Sequence, residues 1–114
     1  MTMVDEQTQT VAVCDLARLI PGRGVAALLP DGRQVAIFRT TSDEIYALSN
    51  VDPFGHAAVL SRGLIGDRNG VPMVASPLLK QRFDLKTGRC LDDESVAIRT
   101  YDVAIIDGVV HVRP

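Results

Sequence analysis

The hydrophobic positions of this chain fall in short runs, which are separated at close intervals by glycine, proline, aspartate and asparagine. Valine, isoleucine and threonine are frequent within the runs, and these β-branched residues favour extended backbone. Short β-prone runs between closely spaced turns are typical of an antiparallel sandwich or barrel, not of a parallel sheet with crossover helices. The predicted strands cover residues 10–14, 25–29, 34–39, 45–49, 71–75, 96–98, 101–106 and 109–113.

Two turn motifs predict hairpins between these strands. Asp107 and Gly108 lie alone between two apolar runs, and a two-residue Asp-Gly connection favours a tight hairpin. The Pro-Asp-Gly-Arg segment at 30–33 predicts a second hairpin in the same way. Only residues 15–20 have a helical pattern, with Asp15 as a possible N-cap and Pro-Gly as a stop signal, so we expect one turn there at most.

Length and composition fit a single domain. A chain of 114 residues with 46% hydrophobic and 23% charged residues can bury a core without disulfide bonds. Aromatic residues make up only 4%, so we expect a core of mainly aliphatic side chains. We predict a flexible N-terminal segment over residues 1–9 and one domain over residues 10–114.

Charge and signal content argue against several classes of partner. The net charge of −2 gives no electrostatic reason to expect nucleic acid or an anionic membrane. The apolar stretches are much shorter than the roughly 20 residues of a membrane-spanning helix. The N-terminus carries Asp5 and Glu6 and lacks a signal-peptide pattern, so we expect a cytoplasmic protein. In that compartment Cys14 and Cys90 are expected to be free thiols.

Two segments interrupt the strand pattern, and both are rich in residues that favour loops. They cover residues 50–63, called the first loop below, and residues 76–81, called the second loop. Long loops on a small β scaffold are where binding and catalytic residues are most often found. A Leu-Ser-Arg-Gly motif ends the first loop at 60–63, and a Phe-Asp pair at 83–84 and a Thr-Gly-Arg-Cys-Leu motif at 87–91 follow the second.

These loops and motifs resemble the Rieske family over nearly the whole chain, from about Thr10 to the C-terminus. The resemblance implies a small all-β antiparallel sandwich or barrel, in which the two loops form a cluster-binding tip. In that family the first loop supplies Cys-x-His and the second Cys-x-x-His; two thiolates bind one iron and two imidazoles bind the other. Carried over by position, the cysteines fall on Asp52 and Ser76, and the histidines on Phe54 and Leu79.

None of these four residues offers a thiolate or an imidazole. Phe54 and Leu79 cannot coordinate iron, and the hydroxyl of Ser76 is a poor substitute for a thiolate on a soft, sulfide-bridged metal. We therefore expect no cofactor and no metal in this chain, and a vestigial tip that keeps only the frame of a cluster site. Asp52 and Ser76 are expected to make local hydrogen bonds at the starts of the loops.

A Rieske-like frame without cluster ligands resembles the small subunits of bacterial NAD(P)H-dependent nitrite reductases. The starts of the two loops carry this resemblance, Asn-Val-Asp-Pro-Phe at 50–54 and Ser-Pro-Leu-Leu-Lys-Gln at 76–81. It implies a non-catalytic subunit, with no active site of its own, that docks on a large subunit carrying FAD, NAD(P)H, a [4Fe–4S] cluster and siroheme. The implied activity of the complex is the assimilatory reduction of nitrite to ammonium.

The apolar residues of the tip have two possible roles. Phe54 and Leu79 could fill the space of the missing cluster, each contributing about 1.5–3 kcal/mol if fully buried. Alternatively, Phe54, Leu78 and Leu79 stay exposed and dock on the large subunit, with Lys80 and Arg82 as a basic rim. A phenylalanine facing inward and a leucine facing outward would combine both roles.

Two other functions stay open from the sequence. A Rieske-type electron-transfer ferredoxin would need a [2Fe–2S] cluster, which iron content and visible absorbance would reveal. A free-standing binding or regulatory module on the same scaffold would need no large subunit.

Overall fold

A computed structural model describes residues 10–114; the segment 1–9, expected to be flexible, lies outside the described residues. The described part consists of antiparallel strands and two single 3₁₀ turns, Leu16–Arg18 and Leu60–Arg62. No helix within it is long and apolar enough to cross a membrane. The all-β class predicted from the turn spacing is confirmed. The strands are β1 (Val11–Asp15), β2 (Arg23–Leu28), β3 (Gln34–Arg39), β4 (Ile45–Ser49), β5 (Val51–Asp52), β6 (Ala57–Ala58), β7 (Leu64–Arg68), β8 (Val71–Ala75), β9 (Arg82–Asp84), β10 (Thr100–Ile106) and β11 (Val109–Arg113).

Six strands form one curved sheet in the order β1-β11-β10-β4-β3-β2. β10 belongs to both halves of this sheet, because Thr100 and Tyr101 pair with β4 whereas residues 102–106 pair with β11. The two edge strands, β1 and β2, approach each other, so the sheet is nearly closed into a barrel. Asp107 and Gly108 both have positive φ, 50° and 77°, as a two-residue type I′ turn requires, and the predicted terminal hairpin is confirmed.

A smaller sheet and a short hairpin carry the two loops. Strands β7, β8 and β9 pair in that order, and the second loop joins β8 to β9. The first loop contains the β5–β6 hairpin and the second 3₁₀ turn. At Gly63, which ends the Leu-Ser-Arg-Gly motif, a Cβ atom would lie 2.3 Å from the carbonyl oxygen of Ala75. Only glycine therefore lets the chain enter β7 so close to β8.

The six-stranded sheet is buried on both of its faces at β3, whereas β2 and β10 carry exposed residues such as Leu28 and Ile105. Alternate residues of β3 point to opposite sides, and residues 35–38 are all fully buried. The barrel core on one side consists of Leu19, Leu29, Val35, Ile37, Ala47, Tyr101, Val110 and Val112. The loop-side core on the other side consists of Ala36, Phe38, Leu48, Leu60, Val74, Phe83, Leu85, Cys90 and Ile98. The loop-side core connects the large sheet to the small one and gives the two loops a rigid base.

Two predictions from the sequence about strands and loops are wrong. Residues 96–98 do not form a strand, because this segment only crosses the turn around Gly88, with one isolated bridge between Ala97 and Arg89. The first loop is not irregular throughout, because the β5–β6 hairpin lies within it; strands of two residues leave no periodic pattern in a sequence.

The connection after β1 agrees with the sequence pattern. The segment 15–20 contains a single 3₁₀ turn, as expected, although the Asp15 side chain makes no capping hydrogen bond. β7 is also missing from the predicted strands, because glycine and charged residues at 66–68 indicate a turn.

Candidate functional site

The two loops meet over the loop-side core, and backbone hydrogen bonds shape each of them. In the first loop, the N–H of His56 donates to the carbonyl oxygen of Asp52 at 2.7 Å. In the second loop, the N–H of Lys80 donates to the carbonyl oxygen of Ser76 at 3.1 Å, and the N–H of Ser76 donates to that of Gln81 at 2.9 Å. Asp52 and Ser76 therefore stand at the bases of two tight turns.

A hydrogen bond between side chains joins these two bases. The Ser76 hydroxyl donates to Oδ2 of Asp52, and the two residues are only 1% and 0% exposed. Oδ1 of Asp52 accepts the N–H groups of Phe54 at 2.8 Å and Gly55 at 3.3 Å. The N–H of Leu78 donates to Oγ of Ser76 at 3.3 Å. One carboxylate thus organises the backbone of both loops, and we call the Asp52–Ser76 pair the clasp.

The donors around Asp52 favour its ionised form. Burial by itself would raise the pKa of this carboxyl group, but the Ser76 hydroxyl and the N–H groups of Phe54 and Gly55 outweigh it. The nearby His56 acts in the same direction, so that the pKa lies below its ordinary value. The clasp is therefore a charge-assisted hydrogen bond at neutral pH.

The clasp occupies the positions that the resemblance assigns to the two cysteines. In the Rieske family those two thiolates bind the same iron, so their side chains converge on one point. The side-chain oxygens of Asp52 and Ser76 converge in the same way. The local bonds of Asp52 to the following backbone agree with the sequence-based expectation. The link between the loops was not predicted, although the shared iron of the family is a signal from which it could have been.

Phe54, at the first histidine position, turns inward. Its half-buried ring packs against the loop-side core, with its centroid 6.3 Å from that of Phe83 and the ring planes tilted by 46°. Aromatic pairs in such geometry contribute about 0.5–1.5 kcal/mol beyond the area that they bury. Phe54 therefore anchors the first loop and offers little of its surface to a partner.

Leu78 and Leu79 point outward and form what we call the apolar tip. They are 44% and 58% exposed. Leu78 lies over the first loop, because a Cβ atom on Gly55 would come within 2.6 Å of its Cδ1 atom. Lys80, beside them, is exposed and has a positive φ of 69°. Leu79 thus does not fill the place of a cluster, and the second loop presents two leucines and one lysine to solvent.

Arg82, expected as part of a basic rim, is held by Asp92. Its Nη2 atom lies 2.5 Å from Oδ1 of Asp92, and its backbone N–H donates to Oδ2 at 2.8 Å. The hydrogen bonds from Arg82 are the main cause that lowers the pKa of Asp92 to about 2. Arg82 therefore contributes a paired charge to the surface, whereas Lys80 has no ion-pair partner among residues 10–114.

Leu64 extends the apolar surface beside the second loop, and the sequence pattern does not single it out. It lies opposite Ala75 in the pairing of β7 with β8, and Ala75 lies opposite Arg82. The three side chains therefore share the outer face of the small sheet, while Ile65 packs against the loop-side core. Leu64 is 77% exposed, the largest value among the exposed large hydrophobic residues of the described chain. Alternation along β7 would reveal it, had that strand been recognised.

The sequence profile of the Rieske-like [2Fe-2S] domain family matches residues 9–113. The chain belongs to that family. It is 51% identical over 102 residues to the nitrite reductase (NADH) small subunit of Salmonella typhimurium, a match that covers 89% of this chain and 94% of the relative. The resemblance to nitrite reductase small subunits, inferred from residues 50–54 and 76–81, is confirmed.

Two further similar proteins extend this comparison. A crystal structure described as an NADH-dependent nitrite reductase small subunit of Mycobacterium tuberculosis superimposes with a TM-score of 0.87 at 48% identity, covering 91% of this chain and 93% of that one. A Klebsiella oxytoca protein named nitrite reductase (NAD(P)H) large subunit is 46% identical over 101 residues. That match covers 89% of this chain but 10% of the Klebsiella protein.

The residues at the tip do not fit the [2Fe–2S] cluster that the Rieske-like family name implies. The four ligand positions carry a carboxylate, a phenyl ring, a hydroxyl and an isobutyl group, and the two oxygen-bearing groups are bonded to each other. Cys14 lies in β1 and Cys90 in the loop-side core, so neither thiol replaces a missing ligand. Within residues 10–114, no three His, Cys, Asp or Glu side chains are grouped closely enough to hold a metal ion.

Proposed function

We propose that this chain is the small subunit of an NAD(P)H-dependent nitrite reductase, and that it docks on the large subunit without carrying a [2Fe–2S] cluster. The observation that carries the proposal is the clasp: the two loops keep their Rieske-like turns, and a carboxylate–hydroxyl bond joins them where the family binds iron. Relatives about half identical over nearly their full length are named nitrite reductase small subunits.

The proposed docking surface consists of the apolar tip and Leu64. The exposed apolar side chains of the tip lie on a loop that is fixed by internal hydrogen bonds. Such side chains suit an interface, because little conformational freedom is lost on binding. Lys80 adds a positive charge at the rim of this surface, where it would steer association. The Klebsiella large subunit supports a close association, since a segment similar to this chain is part of the same polypeptide there.

In the proposed complex, the chemistry takes place on the large subunit. NAD(P)H, FAD, a [4Fe–4S] cluster and siroheme belong there, and nitrite is reduced to ammonium there during nitrate assimilation. The small subunit transfers no electrons and instead stabilises or orients the large one. The complex works in the cytoplasm, where NAD(P)H is regenerated.

Chemical analysis of the purified chain tests the absence of a cluster. Untagged protein, isolated without oxygen, is expected to be colourless, with iron and acid-labile sulfide far below one equivalent. Visible absorbance with two iron and two sulfide per chain would instead indicate an electron-transfer ferredoxin and overturn this part of the proposal.

Binding to the nitrite reductase large subunit encoded by the same organism tests the docking surface. Burying one leucine contributes about 1.5–3 kcal/mol, so losing a partly buried one should weaken binding about 5- to 30-fold. We expect this loss for Leu79→Ser and for Leu64→Ser, measured by biolayer interferometry. Ile20→Ser is the matched control, because Ile20 is 57% exposed and follows Leu19 of the barrel core. Equal affinity for all three variants and the wild type would exclude the apolar tip as the interface.

A further inference from the structure

A shallow cleft of about 370 Å³ lies beside the base of the first loop. It opens where the β2–β3 turn, the end of β4 and the start of β10 come together, and its lining includes Arg33, Ser49, Arg99 and Tyr101. Val51 also lines it and directly precedes Asp52, so the cleft adjoins the clasp along the chain. Nothing in the proposed docking at the tip uses this cleft.

Two arginines flank one tyrosine in the cleft. The guanidinium carbon of Arg99 lies 4.9 Å from the centroid of the Tyr101 ring, and that of Arg33 lies 5.8 Å from it. Tyr101 is 8% exposed and belongs to the barrel core, so it is a rigid platform. Stacking on a ring uses the face of a guanidinium group and leaves the N–H edge of Arg99 free to donate hydrogen bonds. The Nη1 atom of Arg33 already donates to the Tyr101 hydroxyl at 3.4 Å.

The lining of the cleft is rich in hydrogen-bond donors and has a positive charge in excess. Arg33 is paired with Asp31, its Nε atom lying 2.6 Å from Oδ2. Arg99 has no carboxylate oxygen within 4.0 Å among residues 10–114, and no acidic side chain lines the cleft. Gln34 also lines the cleft, and its side-chain oxygen accepts a hydrogen bond from Asn50 at 3.1 Å.

We propose that this cleft binds a small planar oxyanion of the carboxylate type, with Arg99 as its main contact and Arg33 beside it. The fork of a guanidinium group matches the two oxygens of such an anion, and Arg99 has the charge that an anion would balance. The anion is either a side-chain carboxylate of the large subunit or a free oxyanion such as nitrite. Only the first source rests on the proposed function.

Titration with free anions tests the cleft without any partner. Backbone ¹H–¹⁵N spectra of the wild type are recorded with increasing acetate or nitrite at constant ionic strength. We expect saturable shifts at Ser49, Val51 and Tyr101, and about tenfold weaker binding in Arg99→Gln. Arg18→Gln is the control, because Arg18 is exposed but lies outside the cleft. Shifts that fail to saturate, or that are equal in Arg99→Gln and the wild type, would overturn the proposal.

Capture of the large subunit then distinguishes the two sources. If a partner carboxylate occupies the cleft, Arg99→Gln should weaken capture about tenfold, and Arg99→Lys should restore part of it through charge alone. Unchanged capture together with lost acetate binding would identify a free oxyanion as the occupant. If Leu79→Ser and Arg99→Gln both leave capture unchanged while acetate still binds the wild type, the proposed docking at the tip fails and the cleft stands. The urea midpoint of Arg99→Gln should match that of the wild type, since Arg99 is exposed.

Discussion

Replacing Asp52 with alanine removes the acceptor that holds the two loops together. Hydrogen bonds to a charged group contribute about 1.5–3 kcal/mol, and a buried polar group left without a partner costs about 1–3 kcal/mol. Phe54 is half-buried and Gly55 is exposed, so water can reach their backbone N–H groups after the substitution. Ser76 is buried, so water cannot reach its hydroxyl group. We therefore expect Asp52→Ala to lower the free energy of unfolding by about 2–4 kcal/mol.

Urea denaturation of a small variant set measures this change. With a slope of about 2 kcal/mol/M, the midpoint of Asp52→Ala should fall by about 1–2 M. Ser76→Ala should cost less, about 1–2 kcal/mol, because Asp52 keeps its two backbone donors. In the double variant the two losses should not add, because both single changes break the same bond.

A second aspartate–serine pair provides the matched control. Oδ1 of Asp93 accepts both the N–H of Ser95 at 3.0 Å and its hydroxyl at 2.6 Å, but both residues are exposed. Asp93→Ala should therefore leave the urea midpoint unchanged within error. Equal and small effects of Asp93→Ala and Asp52→Ala would refute the reasoning that burial makes the clasp important.

The clasp should also depend on pH in a defined direction. The pKa of Asp52 is lower in the folded chain than in the unfolded one, where it is about 3.9. Its contribution is therefore complete above about pH 4 and is lost as the pH falls through the lower, folded-state value. The difference in urea midpoint between the wild type and Asp52→Asn should shrink below about pH 4, and a constant difference would contradict an ionised clasp.

Two further changes test features outside the clasp. Gly63→Ala should lower the free energy of unfolding by about 3 kcal/mol, because its Cβ would meet the Ala75 carbonyl oxygen. Gly66→Ala is the control and should be nearly neutral, because there is room for a Cβ at Gly66. Equal urea midpoints of the two variants would disprove the clash at Gly63. Asp92→Asn should cost less than about 1 kcal/mol at pH 6, because its pair with Arg82 is one-third exposed. That cost should shrink as the pH falls from about 4 through about 2, where half of the Asp92 carboxyl groups are protonated in the folded chain. An undiminished cost at pH 2 would exclude this ion pair as its source.

The sequence predicts those parts of the fold that local chemistry determines. The Asp107-Gly108 turn needs positive φ at both positions, and aspartate and glycine tolerate it, so this hairpin is evident from two residues. β3 is evident as well, because residues 35–38 form a continuous apolar run bounded by polar residues. Such features need no information about distant parts of the chain.

What the sequence does not reveal depends on contacts between distant segments. β7 carries turn-forming residues and becomes a strand only through its pairing with β8. Residues 96–98 have the composition of a strand but find only the turn around Gly88 to pair with. At the site, Asp52 bonds its own turn as expected from sequence, whereas its bond to Ser76 crosses 24 positions and follows from no local pattern.

The two loops are joined by side chains of the chain itself, so their structure is complete as soon as the polypeptide has folded. A loop pair held by a [2Fe–2S] cluster would in addition need iron and sulfide from outside the chain. A subunit without such a cluster would accumulate in its mature form even during iron starvation. In the proposed complex, only the prosthetic groups of the large subunit would then depend on the iron supply.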